Sequence, residues 1–265
     1  MTPILVASDL DGTLVRSDGT IDDRTRRAIA AVEAAGATVV FCTARPHRGL
    51  DSLAQETGHR GVVICNNGAM LWDLHTESVL DASPLQPAIA RELVALLEAE
   101  VPGGAWAVER TAGFAYEPGY VTRWPIPEDS TIAAVHALID EPAVKLMLRH
   151  SDMSADTLLA RARTACGHLA EICHSSTTDA LLEISASGVS KASALARLCE
   201  ERGIGPTDVV AFGDMPNDLP MLAWAGHGVA VANAHPEVIA VANEVTASND
   251  ESGVALVLER LFGVS

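Results

Sequence analysis

The sequence predicts an α/β protein, a doubly wound, Rossmann-like parallel sheet interrupted by an inserted α+β domain. Three observations carry that reading. Short apolar runs recur along the chain, each followed by a helical stretch, and strand–helix alternation implies parallel pairing through crossover helices. Each run ends in polar residues, which a strand buried on both faces does not need. Between residues 84 and 187 the rhythm changes to several strands per helix, and the parallel pattern then resumes. The expected division is therefore a core built from 1–83 and 188–265, with 84–187 inserted.

Ile4-Leu-Val-Ala-Ser8 reads as the first buried strand and runs into Asp9-Leu-Asp-Gly-Thr13. Two carboxylates two residues apart share a side while the chain stays extended, and Gly12 lets it turn. Leu14–Ile21 reads as a small hairpin turning at Asp18-Gly19, a type I′ pair. Asp22 or Asp23 caps a helix that runs through Ala35 and closes at Gly36. Thr38–Cys42 is the second strand and delivers Thr43-Ala-Arg-Pro46. Proline suits a first helical position, so Thr43 is expected just before a helix N-terminus whose N–H groups suit an anion. That helix is expected to end near Gly58. Gly61–Cys65 is the third strand, followed by the turn Asn66-Asn67-Gly68 and a hairpin through Leu80.

In the inserted region the pattern gives a helix over Pro87–Glu100, then strands at Ala105–Glu109, Gly113–Glu117 and Val144–Arg149. A helix over Ala155–Cys166 follows, then strands at Leu169–Cys173 and Leu181–Ile184. Ser187-Gly-Val-Ser-Lys191 opens a helix to Arg202, and Asp208–Phe212 is the fourth core strand. It leads into Gly213-Asp-Met-Pro-Asn-Asp218, where Asn217 is placed as an N-cap. Val229–Val231 is a fifth strand, and helices at Glu237–Ala242 and Ser252–Leu261 finish the fold.

Composition excludes several classes. A net charge of −17 argues against nucleic acid or an anionic membrane as a partner held by charge. No apolar run reaches membrane-spanning length, and the N-terminal run ends in Asp9 without a basic flank, so it is a strand and not a leader. Five scattered cysteines fit free thiols and a cytoplasmic location. Lysine is scarce: Lys145 and Lys191 stand against sixteen arginines.

In a doubly wound sheet the carboxyl ends of the strands line one crevice, where ligands bind. That edge gathers Asp9 and Asp11, Thr43, Asn66 and Asn67, and Asp214 with Asn217 and Asp218. Carboxylates so close repel unless a cation or proton neutralises them, and a divalent metal with oxygen ligands is the natural partner. A calcium loop counted from Asp9 fails on spacing, with Leu14 and Thr20 where Gly and Glu are required. Lys191 supplies positive charge from the first turn of a helix, where it opposes the helix dipole.

These residues, in this order and with this insertion, resemble the haloacid dehalogenase superfamily of phosphohydrolases. Asp9–Thr13 matches its first motif, Thr43 the second, Lys191 the third and Gly213–Asp218 the fourth. Asn67-Gly68-Ala69, Gly188–Lys191 and the tail from Asn233 through Ala255 look like the Cof-type branch with a type IIB cap. Ala44 and Ala192 stand where that branch commonly has glycine. The resemblance implies a Mg2+-dependent phosphatase acting through an aspartyl-phosphate. Asp9 would be nucleophile and Asp11 general acid and base. Asp9, the Asp11 carbonyl and Asp214 would hold Mg2+. Thr43 and Lys191, with Asn217 as a further candidate, would bind phosphate, and Asp218 would orient metal waters or Lys191. Asn67 and Gly68 are candidate substrate contacts. Arg45 either reaches the substrate or pairs with a surface acid.

The substrate implied is a small phosphorylated metabolite. From Pro84 to Ser187 fourteen acids stand against seven bases, so the cap offers no basic platform for a polyanion. A monophosphate with a neutral body, such as a sugar phosphate, fits better. The alternatives are a phosphomutase using the same aspartyl-phosphate, a receiver-like domain, and a non-catalytic phosphate-binding module. A receiver carries its phosphorylated Asp on a later strand than its acid pair, and simple binding leaves Asp11 without a purpose. Cys166, His168, Cys173 and His174 fit no usual zinc spacing. Lys145 is read as salt-bridged or as a substrate contact, and Trp106 and Tyr116 as cap core. The pattern says nothing of oligomeric state.

Overall fold

The structure is a computed structural model that describes residues 2–50, 53, 57–122, 125–176 and 179–264. It divides into two compact units, Met1–Leu80 with Lys191–Ser265, and Asp81–Ser190. No helix among the described residues is long and apolar enough to cross a membrane.

The first unit is built on strands β1 (Leu5–Ser8), β2 (Thr38–Cys42), β3 (Val62–Cys65), β4 (Met70–Asp73) and the start of β5 (Ser78–Ala82), with β12 (Val209–Gly213), β13 (His227–Ala230) and β14 (Glu244–Val245). Their order is β14-β13-β12-β1-β2-β3-β4-β5. All pairs from β14 to β3 are parallel, and β3 pairs with β4 antiparallel. β1 is buried along its whole length, as a central strand of Leu-Val-Ala-Ser covered on both faces should be. Chain order reverses beside it: β2 pairs on one side and β12 on the other. The switch point of the sheet therefore lies between the carboxyl ends of β1 and β12, where Asp9 and Asp214 follow.

Helix α1 (Asp23–Ala34) starts at Asp22, whose Oδ1 accepts the Thr25 N–H at 3.0 Å. It packs on α8 (Gly253–Phe262), where Arg24 grips Glu259 through two bonds of 2.7 and 2.6 Å. Further helices of this unit are α5 (Lys191–Glu201), α6 (Leu219–Trp224) and α7 (Pro236–Val241).

The second unit carries a sheet of β6 (Ala105–Arg110), β7 (Gly113–Tyr116), β8 (Thr131–Ile132), β9 (Lys145–Arg149), β10 (Ala170–Cys173) and β11 (Leu181–Ala186), in the order β10-β11-β9-β6-β7-β8. Strand alternation sorts its side chains. Trp106, Val108, Leu146, Leu148, Leu182 and Ile184 form a core with Leu93 and Leu97 of α2 (Pro87–Glu100) and Leu158 of α4 (Ala155–Cys166). The other parity places Ala107, Met147 and Phe114 together, and Lys145 meets Glu183 at 2.6 Å with both side chains buried. Lys145 is thus ion-paired, Trp106 is core, and Tyr116 packs at the edge of the smaller cluster.

Several expectations are corrected. Pro46 is extended and precedes only a 3-10 turn, His47–Gly49, so Thr43 does not sit at a helix N-terminus. Of the helix expected to end near Gly58, residues 51–52 and 54–56 lie outside the described residues, and Leu53 and Thr57 are helical. Asn217 is not an N-cap: it sits inside the 3-10 turn Pro216–Asp218, and its amide turns to Asn67. At the early turn the Gly19 N–H bonds the Arg16 carbonyl, and Asp18 is not left-handed, which rules out type I′. β8, β14 and a helix α3 at Val135–Leu138 are too short to leave a period in the sequence.

The α1 cap gives a test with a sign. Burial works to raise the Asp22 carboxyl, but bonds from the Thr25 N–H and hydroxyl outweigh it and hold it below its ordinary value. Its stabilisation is full above the unfolded carboxyl pKa, about 3.9, and is lost as pH falls through the lower folded value. Asp22→Ala should destabilise the protein by about 1 kcal/mol at neutral pH. Denaturant titrations should show that difference shrinking as pH falls below about 3.9.

Candidate active site

Four loops of the first unit and the start of α5 converge at the carboxyl edge of the parallel sheet. Lys191 Nζ lies 2.5 Å from Asp9 Oδ1 and 2.7 Å from Asp218 Oδ1. The ammonium is 1% exposed, so the position that opposes the helix dipole is set by these two carboxylates. Asp218 Oδ2 accepts the backbone N–H groups of Asp214 and Met215, each at 3.1 Å. Both oxygens of Asp218 are therefore engaged, and it orients Lys191 and the turn after β12.

Asp214 takes a 2.7 Å bond from the Thr13 hydroxyl. Gly12 makes that approach possible. It is left-handed, at φ +86°, and a Cβ there would lie 2.5 Å from Asp214 Oδ2. Gly213 does the same for Asp218, since a Cβ would meet its side chain at 2.5–2.9 Å.

The electrostatics are unbalanced. Burial raises the Asp9 carboxyl well above its ordinary value; Lys191 opposes this, and Asp218 and Asp214 reinforce it. Burial and the nearby Asp218 push Asp214 up to about 7. Burial would lower the Lys191 ammonium, but Asp218 and Asp9 outweigh it and hold it above its usual value. Asp9, Asp214 and Asp218 can each offer a carboxylate oxygen within 4.8 Å of the others. Buried hard-oxygen donors carrying more negative charge than one ammonium balances fit a small divalent cation. Since Asp218 is already engaged, Asp9 and Asp214 are the carboxylates left for it.

Thr43 is fully buried, and its hydroxyl accepts the Arg45 N–H at 3.0 Å. The turn after β3 holds this loop: the N–H groups of Asn66 and Asn67 donate to the carbonyls of Arg45 and Thr43, both at 3.0 Å. Asn66 and Asn67 pay for that with consecutive left-handed backbones, φ 52° and 57°, and Gly68 follows at 100°. Asn217 Nδ2 donates to Asn67 Oδ1 at 3.0 Å and ties in the turn after β12. Arg45 grips Asp11 with two bonds, Nε to Oδ2 at 2.8 Å and Nη2 to Oδ1 at 2.7 Å. Of its two readings, pairing with an acid is the one observed, and the acid is Asp11. Ala44 is not left-handed, and Ala192 lies inside α5, so neither position needs the glycine commonly found there.

Sequence reasoning left Thr13 and Asn66 without roles. Thr13 is signalled only by a hydroxyl one residue past a sharp turn. Asn66 acts through its backbone, which no side-chain pattern reports.

Gly213→Ala should fold but push Asp218 from Lys191. A displacement near 1 Å at a reaction centre costs up to about 100-fold, so turnover should fall by roughly that factor with an unchanged circular dichroism spectrum. Wild-type turnover in this variant would separate the Asp218–Lys191 contact from activity.

The chain is similar to known proteins over nearly its whole length. The family model of haloacid dehalogenase-like hydrolases matches residues 6–258. The 5-amino-6-(5-phospho-D-ribitylamino)uracil phosphatase YitU of Bacillus subtilis (strain 168) is 30% identical, over 99% of this chain and 98% of its own. The pyridoxal phosphate phosphatase YbhA of Escherichia coli (strain K12) is 31% identical, over 96% and 97%. In fold, the chain is similar to the subclass IIB sugar phosphatase BT4131, with a TM-score of 0.83 at 22% identity, covering 98% of this chain and 99% of that one. The chain belongs to the haloacid dehalogenase-like hydrolase family.

Proposed function

We propose that the protein is a Mg2+-dependent phosphatase that hydrolyses a small phosphorylated metabolite through a phosphoenzyme on Asp9. The observation that carries this reading is the buried Asp9 carboxylate at the end of β1, held by Lys191 on one side and facing Asp214 across the switch point. A structural ion pair would not need a second buried acid beside it.

Asp9 attacks phosphorus and the ester P–O bond breaks, while Asp11 protonates the departing alcohol. Water then gives a proton to Asp11 as it attacks the phosphoenzyme, releasing phosphate and restoring Asp9. Lys191 and the Thr43 hydroxyl hold phosphoryl oxygens, where charge accumulates. Asp9, Asp214 and the Asp11 carbonyl would hold Mg2+, which when bound neutralises their charge and that of the phosphate. Asp218 keeps Lys191 in place. Asn217 braces Asn67, so both act on the shape of the phosphate loop, and Gly68 completes its turn.

The relatives named above act on phosphorylated small molecules, which supports a substrate of that kind. The acidic balance of the inserted unit favours a monophosphate with a neutral body, such as a sugar phosphate, over a polyanion. In this reading the inserted unit is a cap that selects the leaving group.

Phosphate release from 4-nitrophenyl phosphate should stop in excess chelator and return with Mg2+. Ca2+ should bind but support turnover poorly, because its looser, higher coordination misplaces the nucleophile. Full turnover in chelator would overturn the metal assignment. Lys191→Met should lose at least about 100-fold in turnover, and Lys191→Arg should recover little, because a planar fork does not replace a compact ammonium between two carboxylates. Isotope from labelled substrate should appear on Asp9 after acid quench.

A further inference from the structure

We propose that Arg45 is a positioning residue of the reaction, acting through Asp11. Its guanidinium fixes the plane of the Asp11 carboxylate and with it the path of the proton to and from the leaving oxygen. The inference rests on the phosphoenzyme reading above.

A carboxylate on a single methylene swings freely unless both oxygens are held. Here one fork holds both, at 2.8 and 2.7 Å, in the bidentate geometry that only arginine offers. Arg45 is itself anchored at both ends of its backbone, its N–H on the Thr43 hydroxyl and its carbonyl on the Asn66 N–H. Asn66, whose N–H makes the second anchor, holds a left-handed backbone of the kind found where surrounding structure enforces it.

The Asp11 side chain is 38% exposed, so water can solvate its charge and the fork does not answer a buried carboxylate there. Asp9 and Asp218, by contrast, are buried and held by Lys191. Asp11 has its own cation, on another loop, which orients it independently of the nucleophile. The proton path is conservative: Asp11 gives a proton to the alcohol oxygen as the ester P–O bond breaks. It regains one from water as that water bonds to phosphorus and the Asp9–phosphorus bond breaks.

A positioning role is read by leaving-group dependence, which a structural role would not produce. Wild type, Arg45→Ala, Arg45→Lys, Asp11→Asn and Arg45→Ala/Asp11→Asn would be compared on two substrates. One is 4-nitrophenyl phosphate, whose leaving group needs little protonation. The other is the sugar or polyol phosphate that wild type turns over fastest. Arg45→Ala should lower kcat on the alkyl ester by about 10- to 100-fold, part of the 10²–10⁴ that acid–base help is typically worth. Its first turnover of 4-nitrophenyl phosphate, followed by stopped flow, should fall less than about threefold by the same reasoning. Arg45→Lys should recover only part, and the double variant should be no slower than Asp11→Asn. Equal losses on both substrates, no loss on either, or additive losses in the double variant would each overturn the proposal. Absence of turnover or label in wild type would instead overturn the phosphatase reading.

Discussion

Everything at the carboxyl edge of the sheet depends on one charge problem. Three carboxylates, from Asp9, Asp214 and Asp218, are buried around one ammonium. In water such a group would disperse; here the fold forbids it, because each acid sits on a short segment fixed by a buried parallel strand. Burial, reinforced by the neighbouring acids, holds both Asp9 and Asp214 above their ordinary pKa. A site of this kind is stable only with a proton or a cation in it, and its donors suit a small divalent cation.

The backbone solves the geometric half of that problem. Gly12 and Gly213 are spaces as much as residues, since a Cβ at either would collide with Asp214 or Asp218. Asn66 and Asn67 accept left-handed conformations so that two N–H groups can reach the Thr43 loop. Asn217 then ties the turn after β12 to the turn after β3 through Asn67. Three loops that are far apart in sequence become one rigid frame, and the phosphate-binding hydroxyl proposed at Thr43 inherits its position from two asparagines.

Much of this was legible in the sequence because buried parallel strands are simple to read. Thr38–Cys42 and the helices Pro87–Glu100 and Ala155–Cys166 fall where periodicity places them. Legibility ended where a local signal met a tertiary demand. Pro46 looks like a helix start, yet the chain stays extended there, with Arg45 before it held on Asp11 and Asn66. Asn217 looks like an N-cap, yet its amide is claimed by Asn67, 150 positions away. The two readings of Arg45 could not be separated by sequence, since its partner is set by how the first and second strand-end loops face each other.

The use of cations follows the same logic. Both lysines of the chain are buried and ion-paired, Lys191 with Asp9 and Asp218, and Lys145 with Glu183. Arginine does the exposed bracing, as between Arg24 and Glu259. A compact ammonium can sit between two carboxylates without imposing a plane on either, whereas a guanidinium fixes the plane of what it grips. In the proposed mechanism Lys191 therefore suits Asp9 as the nucleophile, and Arg45 suits Asp11, whose direction the proposed proton transfer requires. The two acids of one tripeptide, Asp9-Leu10-Asp11, are chemically identical in isolation. They differ in surroundings because the fold gives one a point charge and the other a fork, and the proposed division of labour follows from that difference.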